Sequence, residues 1–269
     1  MYMESLPILV ALFDRIDIFM LIMVRVTAFF IFVPILSGMS IPVEVRLAVA
    51  FFLSMAIFFS GMITVAIHYD TVAGFVMLML TEFMAGALMG FMLFFIFNVL
   101  LFAGHFMDFS MGLAMASVID PIQQIQVPVI GNVLFMSISA LLVVNGGLHY
   151  FIYVFATSYN ILPIGAANII GNVPLVHFIV LQFVSFVLLA VQIALPIIGT
   201  MLVIDISLGV MVKAVPQMNV FVVGMPFKVL VGYFLMFSVM IPMLGQIYMA
   251  IFDHAFDVLI EVIWGMTYG

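Results

Sequence analysis

Apolar positions along this chain gather into six long runs, near residues 16–36, 47–67, 74–102, 130–155, 176–206 and 227–252. Each approaches the roughly 20 residues that a helical membrane span requires. The pattern predicts an all-α membrane protein of about six long apolar helices, some of them broken or kinked. The third and fifth runs are long for one crossing, which predicts tilt, extension beyond the bilayer, or a break. Pro196 supplies a kink point in the fifth. No internal repeat stands out.

Two stretches interrupt this pattern. Between the third and fourth runs lies AGHFMDFSMGLAMASVIDPIQQIQVP, too apolar for a solvent loop and too broken for a span. From Phe109 to Ser117 bulky residues (Phe109, Met111, Leu113, Met115) alternate with small ones (Ser110, Gly112, Ala114, Ala116). Period two predicts an extended segment with one bulky face. Unpaired backbone of that kind cannot face lipid, so it must be buried in protein or sit over a pore. Two readings stay open from the pattern: a plug of Phe106, Met107, Phe109, Met111, Gly112, Leu113 and Met115 that excludes water and ions, or a re-entrant or helical packing element that uses the same small residues. Asp120 before Pro121 predicts the closing turn.

The second interruption runs from Asp205 to Gly232, DISLGVMVKAVPQMNVFVVGMPFKVLVG. Pro216 and Pro226 cannot donate backbone hydrogen bonds, so a helix, a short loop or re-entrant piece, and a second helix are expected. Gln217 and Asn219 are placed to satisfy the backbone groups left open. We expect one membrane-embedded domain over residues 1–269, with a plug-like segment at 104–121, this bend at 205–232 and an amphipathic tail at 253–269. In the tail Asp253, Asp257 and Glu261 recur every four residues among Val258, Ile260, Ile263 and Trp264, which predicts a helix with one acidic face.

Composition sharpens the class. Of 269 residues 68% are hydrophobic and 6% charged, too few polar groups to cover a soluble globule. The 12 acidic residues are scattered, and the 5 basic ones form no patch for nucleic acid. There is no cysteine, hence no disulfide, thiolate nucleophile or cysteine metal site. The segment MYMESLPILVALFDR lacks a basic n-region and a small-residue cleavage site and is not read as a removed signal. Arg46, Lys213 and Lys228 fall in odd-numbered loops of a six-crossing topology, which predicts those loops in the cytoplasm and both termini outside. Twenty-five methionines and 30 phenylalanines suit adaptable apolar packing.

Candidate chemistry is sparse. Arg25 and Glu82 lie inside the first and third runs and Asp205 near the end of the fifth. They are read either as an ion or proton pathway or, as we expect, as groups paired across helices. Gly86 and Gly90 form a GxxxG step, and Gly112 with Ala116 repeats the spacing, predicting close helix approach. His68, His105, His149, His177 and His254 are dispersed without a ligand pattern. No GxSxG, P-loop or GxGxxG occurs, so neither an enzyme nor a cofactor or metal site is expected.

The residues resemble the FliR/SctT family of type III secretion export gates over essentially the whole chain. The resemblance is carried by Asp205, Gly209, the run AVPQMNVF from Ala214 to Phe221, Gly224, Pro226, Lys228 and Gly232. A second stretch carries it from Gly104 through MGLAMASVIDP and IQVPVIG to Gly147, His149, Ser158, Leu162 and Pro163. Arg25, Pro34, Pro42 and Arg46 fit less specifically, and Lys213 stands where an Arg is more usual. The resemblance implies a non-enzymatic subunit assembled with FliP and FliQ, with FlhB and FlhA alongside, in the bacterial inner membrane at the flagellar basal body. Unfolded flagellar substrates would pass through it. It implies a plug at 106–115 and gives Asp205, Pro216, Gln217, Asn219, Phe221, Gly224, Pro226 and Lys228 structural or interface roles. The virulence counterpart of the same gate, and a secondary transporter using Arg25, Glu82 and Asp205 at broken helices, are the competing readings.

Overall fold

The computed structural model describes residues 15–33, 42–61, 63, 69–113, 128–215, 217 and 219–268. Among them the chain forms helices and no strand. They are α1 (Ile16–Phe32), α2 (Val43–Phe59), α3 (Val72–Met111), α4 (Val129–Val144), α5 (Gly147–Ile161), α6 (Val173–Ala214), α7 (Val220–Leu235) and α8 (Ile241–Tyr268). A π-helical turn, Met236–Met240, joins the last two. The expected all-α membrane architecture is what the chain adopts.

Within the described residues each of the six apolar runs holds helix, and the third and fifth are extended beyond their expected bounds. Helix α3 has 40 residues and α6 has 42. At 1.5 Å per residue these reach about 60 Å, twice the roughly 30 Å hydrocarbon core. Those two helices, and the stretch Val222–Thr267, are long and apolar enough to cross a membrane. The fourth run divides into α4 and α5, bent by 72°. The break falls at Asn145 and Gly146, where Gly146 adopts φ +70, a conformation a side chain disfavours. Helices α1 and α2, with 17 residues each, sit at the lower limit for a span.

Two of the prolines read as kink or break points lie within helices. Helix α6 runs through Pro196, whose carbonyl accepts the Thr200 hydroxyl at 2.9 Å. Pro226 lies inside α7 rather than between helices. The expected break near Pro216 is present, since α6 ends at Ala214 and α7 begins at Val220, although Pro216 itself lies outside the described residues.

The chain divides into two compact units. The first comprises Met1–Phe95, Leu148–Gln182 and His254–Gly269. Here α1 packs on α2, with Phe19 edge-on to Phe51 and Phe58 at 5.8 and 5.9 Å. The end of α8 buries Ala255, Val258, Leu259, Val262, Ile263 and Met266, while Asp257, Glu261 and Trp264 face outward. The expected amphipathic tail is therefore the C-terminal part of α8. Its seat is fixed by backbone and amide: the Asn168 N–H donates to the Met266 carbonyl at 2.8 Å, and Asn172 Nδ2 to the Gly265 carbonyl at 2.9 Å. Asn172 Oδ1 also accepts the Leu175 N–H at 2.8 Å, capping α6.

The second unit comprises Ile96–Gly147 and Phe183–Asp253. Within it α6 buries one stripe, Phe186, Ala190, Ala194, Ile197 and Met201, and leaves Leu195, Leu202, Val203, Ile206 and Val210 exposed. In the most apolar window of α6 17% is buried, against 56% for α3. Helix α3 is thus a core element, and α6 is a helix with most of its apolar surface unspent.

Candidate functional site

Residues 104–113 form the start of the plug-like segment, and they lie in the second unit. Phe109 to Met111 are the final turn of α3, in line with a helical packing element and not with the extended segment that the alternation suggests. The helix carries on because its periodic contacts persist: Leu100, Ala103, Met107 and Met111 are fully or almost fully buried at helical spacing. It stops at Gly112, which takes φ +84, with the Leu113 N–H bonded back to the Asp108 carbonyl at 3.0 Å. Met115, Ala116, Asp120 and Pro121 lie outside the described residues.

The candidate plug residues separate by exposure. Met107 and Met111 are fully buried, Phe106 is 41% exposed and Phe109 77%. Together with Phe102 at 52%, the two phenylalanines line an outer face of α3 at i, i+4 and i+7. The methionines are anchors. A Cβ placed on Gly232 would stand 2.5 Å from Met111 Sδ and 2.8 Å from its Cγ, so the missing side chain of Gly232 is the space Met111 occupies. This brings the end of the plug-side helix onto the last residue of the signature stretch.

The far side of that loop is tied to α3 as well. A Cβ on Gly104 would strike the backbone N and Cα of Gly131, and one on Gly131 would lie 3.1 Å from the Leu101 carbonyl oxygen. Helices α3 and α4 therefore touch backbone to backbone. One turn on, buried Asp108 accepts the Ile130 N–H at 3.4 Å, meeting an open donor at the start of α4. The two helix ends that flank residues 114–127 are thus clasped together. Asp108 and the crossing at Gly131 escaped the sequence reading. A lone Asp four residues after a Gly, in an apolar run, was the available signal.

In the signature stretch Asp205 and Lys228 form an ion pair, with Lys228 Nζ 2.7 Å from Asp205 Oδ1 and 3.0 Å from Oδ2. The lysine side chain is 15% exposed and the aspartate 51%. Gln217 is exposed in the turn, and the Asn219 carbonyl accepts the Val222 N–H at 3.1 Å, opening α7. Gly224 is buried, while Pro226 is exposed. The side chain of Phe221 falls outside what the structure describes.

Arg25 and Glu82 meet in the first unit, fully buried. Arg25 Nε donates to Glu82 Oε2 and Nη2 to Oε1 at 3.0 Å, a two-pronged pair. The remaining nitrogen, Nη1, donates to the Leu162 carbonyl at 3.0 Å, and Glu82 Oε1 accepts the Gly165 N–H at 2.8 Å. The guanidinium carbon sits 4.3 Å from the centre of the Tyr159 ring. The expected pairing across helices is found, and Asp205 belongs to a different pair. Such complete internal satisfaction removes the binding groups that a transporter reading requires. On the same face of α3, a Cβ on Gly86 would collide with the Arg25 carbonyl, and one on Gly90 would lie 2.5 Å from that of Phe29. The GxxxG step is a contact with α1. Tyr159 and Gly165 were not foreseen, because no spacing in the sequence relates them to Arg25.

The class defined here is a membrane protein of long, closely packed helices whose intramembrane charges serve internal contacts. The family described as bacterial export proteins, family 1, matches residues 16–255, and the chain belongs to it. The flagellar biosynthetic protein FliR of Bacillus subtilis (strain 168) is 28% identical over 234 residues, covering 84% of this chain and 87% of the relative. FliR of Aquifex aeolicus (strain VF5) is 32% identical over 214 residues, covering 77% and 79%. The surface presentation of antigens protein SpaR of Shigella sonnei is 25% identical over 233 residues, covering 84% and 87%.

Proposed function

We propose that this chain is a gating subunit of the flagellar type III export channel, passing unfolded flagellar substrates across the inner membrane. The observation that carries the reading is the family match over 16–255, together with FliR relatives that align along most of both chains. The flagellar system is preferred over its virulence counterpart because the FliR relatives are 28% and 32% identical and SpaR is 25%. FliP and FliQ are the assembly partners and FlhB and FlhA the neighbours in this reading. The unspent apolar surface of α6 suits such partners, since a half-exposed Asp205 on a face turned to lipid would be costly.

In the gate, Met107 and Met111 anchor the plug, and Phe106 and Phe109 begin its free apolar surface. Gly112 and Leu113 form the turn into it, and Met115 continues it. A constriction of this kind excludes ions by dewetting and yields when a substrate displaces the bulky side chains. Pro216, Gln217, Asn219, Phe221, Gly224 and Pro226 shape the bend between α6 and α7 for assembly.

The test is a chromosomal deletion scored for motility and for hook and filament protein in the medium, with co-purification of FliP and FliQ on the tagged chain. Loss of export, restored by the wild-type chain, is expected. A deletion strain that still exports both proteins would remove the proposal. Replacing residues 111–115 by glycine in the assembled complex is expected to raise ion conductance, and unchanged conductance would refute the plug alone.

A further inference from the structure

Within the first unit, α1 and α3 run parallel, and their contact repeats itself every four residues. Glu82, Gly86 and Gly90 lie on one line of α3; Arg25, Phe29 and, beyond them, Phe32 lie on the facing line of α1. Gly86 meets the Arg25 carbonyl and Gly90 that of Phe29, while Phe32 Cβ lies 3.0 Å from the Cβ position of Gly90. A slip of one turn would put a glycine beneath one carbonyl again and a Cβ-bearing residue, Glu82 or Phe94, beneath the other. The flanking side chains are Leu, Met, Phe and Ala, which attract one another without direction. Glycine contacts bring the helices close and weigh against a slip at one of the two carbonyls, while the apolar side chains around them add no direction.

We propose that the Arg25–Glu82 pair, together with the glycine contacts, locks one register of α1 against α3, and that both are positioning residues for the 162–165 turn. Glu82 is the one charged residue of α3 inside this unit, and Arg25 the one basic residue of α1. Every nitrogen of the guanidinium and both carboxylate oxygens are engaged. A one-turn slip, about 5.4 Å, separates the pair and strands both charges in a dry interior. A buried polar group that contributes specificity of register more than stability is the best-attested use of such a pair. The same slip would withdraw Glu82 from the Gly165 N–H and Arg25 from the Leu162 carbonyl, so the turn follows the helix register.

The chain has no cysteine, which makes the register directly measurable. Phe32 and Phe91 face each other edge-on, with ring centroids 5.9 Å apart. In the full-length chain, in membranes that also hold its partner subunits, F32C is combined in turn with F91C, A87C and F95C and treated with a short bifunctional thiol reagent. Ala87 and Phe95 stand one turn to either side of Phe91, so each reports a slip in one direction. With Arg25 and Glu82 intact, the 32/91 pair is expected to cross-link several-fold more than 32/87 or 32/95. The background R25M/E82Q removes both charges, keeps an acceptor for the Gly165 N–H, and leaves no unpaired ion. There the preference is expected to fall several-fold, and R25K, which keeps the charge without the two-pronged geometry, is expected to fall between. A 32/91 preference within twofold of the native value in both backgrounds overturns the proposal. Failure of R25M/E82Q to accumulate at all also overturns it, since a neutral pair of similar length would then fail as packing rather than as register.

Discussion

Gly232→Ala isolates the contact between the plug-side helix and the signature stretch. Gly232 lies inside α7, where an alanine is favoured over glycine by about 1 kcal/mol on helix propensity alone. With nothing above Gly232 the substitution would therefore stabilise the protein. The structure puts the new methyl within 2.5 Å of Met111 Sδ and 2.8 Å of Cγ. Real carbon–sulfur contacts do not approach so closely, so Met111 must leave a site in which it is fully buried. Overpacking of this kind costs about 1–3 kcal/mol. The balance is a destabilisation of about 0–2 kcal/mol, limited by the flexibility of the methionine. M111A alone loses the buried side chain and should cost about 2–5 kcal/mol. In G232A/M111A the collision is gone, so the double variant should be more stable than the sum of the singles by about 1–3 kcal/mol, the relieved overpacking. Thermal unfolding of the purified complex in detergent measures all three. Additivity within about 0.5 kcal/mol, or a G232A protein more stable than the wild type, would show that Met111 does not sit on Gly232. On the proposed plug reading, G232A should also increase ion leak, because it displaces Met111, the residue proposed to anchor the plug.

Asn172→Ala removes the α6 cap and the amide bonds to the Gly265 and Asn168 carbonyls. We expect a loss of about 1–2 kcal/mol from the cap and earlier protease cleavage near the end of α8, with N172D recovering the cap but not the amide contacts. Asp108→Ala leaves the Ile130 N–H without its acceptor; a cost of about 1 kcal/mol and a rise in resting conductance are expected, and an unaltered conductance would detach Asp108 from the plug. Asp205→Ala should weaken co-purification of FliP and FliQ more than it lowers thermal stability, since a half-exposed pair contributes about 1 kcal/mol or less. A melting temperature that falls steeply while assembly persists would reverse that assignment.

The legible part of this fold was whatever repeats along a single helix. Apolar runs announced the helices, the acidic residues at 253, 257 and 261 announced the amphipathic end of α8, and Gly86 with Gly90 announced a close approach without naming its partner. The misread part was whatever depends on a second helix. Alternation from Phe109 suggested an extended segment, yet Met107 and Met111 are buried at helical spacing, and the seat of Met111 is set by Gly232 on α7, far away in the chain. Pro226 looked like a break because a proline removes one donor; inside α7 the neighbouring hydrogen bonds outweigh that loss. Arg25 and Glu82 were visible as costly charges, but the chain gave no distance between them, and Tyr159, Leu162 and Gly165 complete their shell only through the turn after α5.

The lengths of α3 and α6 carry the same reasoning one step further. Helices of about 60 Å exceed the hydrocarbon core, so much of their apolar surface needs a cover other than lipid tails. In α3 this cover is largely internal, and its carboxylates, Glu82 and Asp108, are correspondingly buried and hydrogen-bonded. In α6, apart from Leu175 near its start, only the stripe from Phe186 to Met201 is covered by this chain, and beyond Met201 no residue of the helix is buried. Asp205 lies in that uncovered part, paired on one side by Lys228 and open on the other. A helix that finishes its own packing at Met201 and keeps a polar group beyond it is built to be completed by neighbours. This is why assembly, rather than stability of the isolated chain, should be the first casualty of changes along the second half of α6.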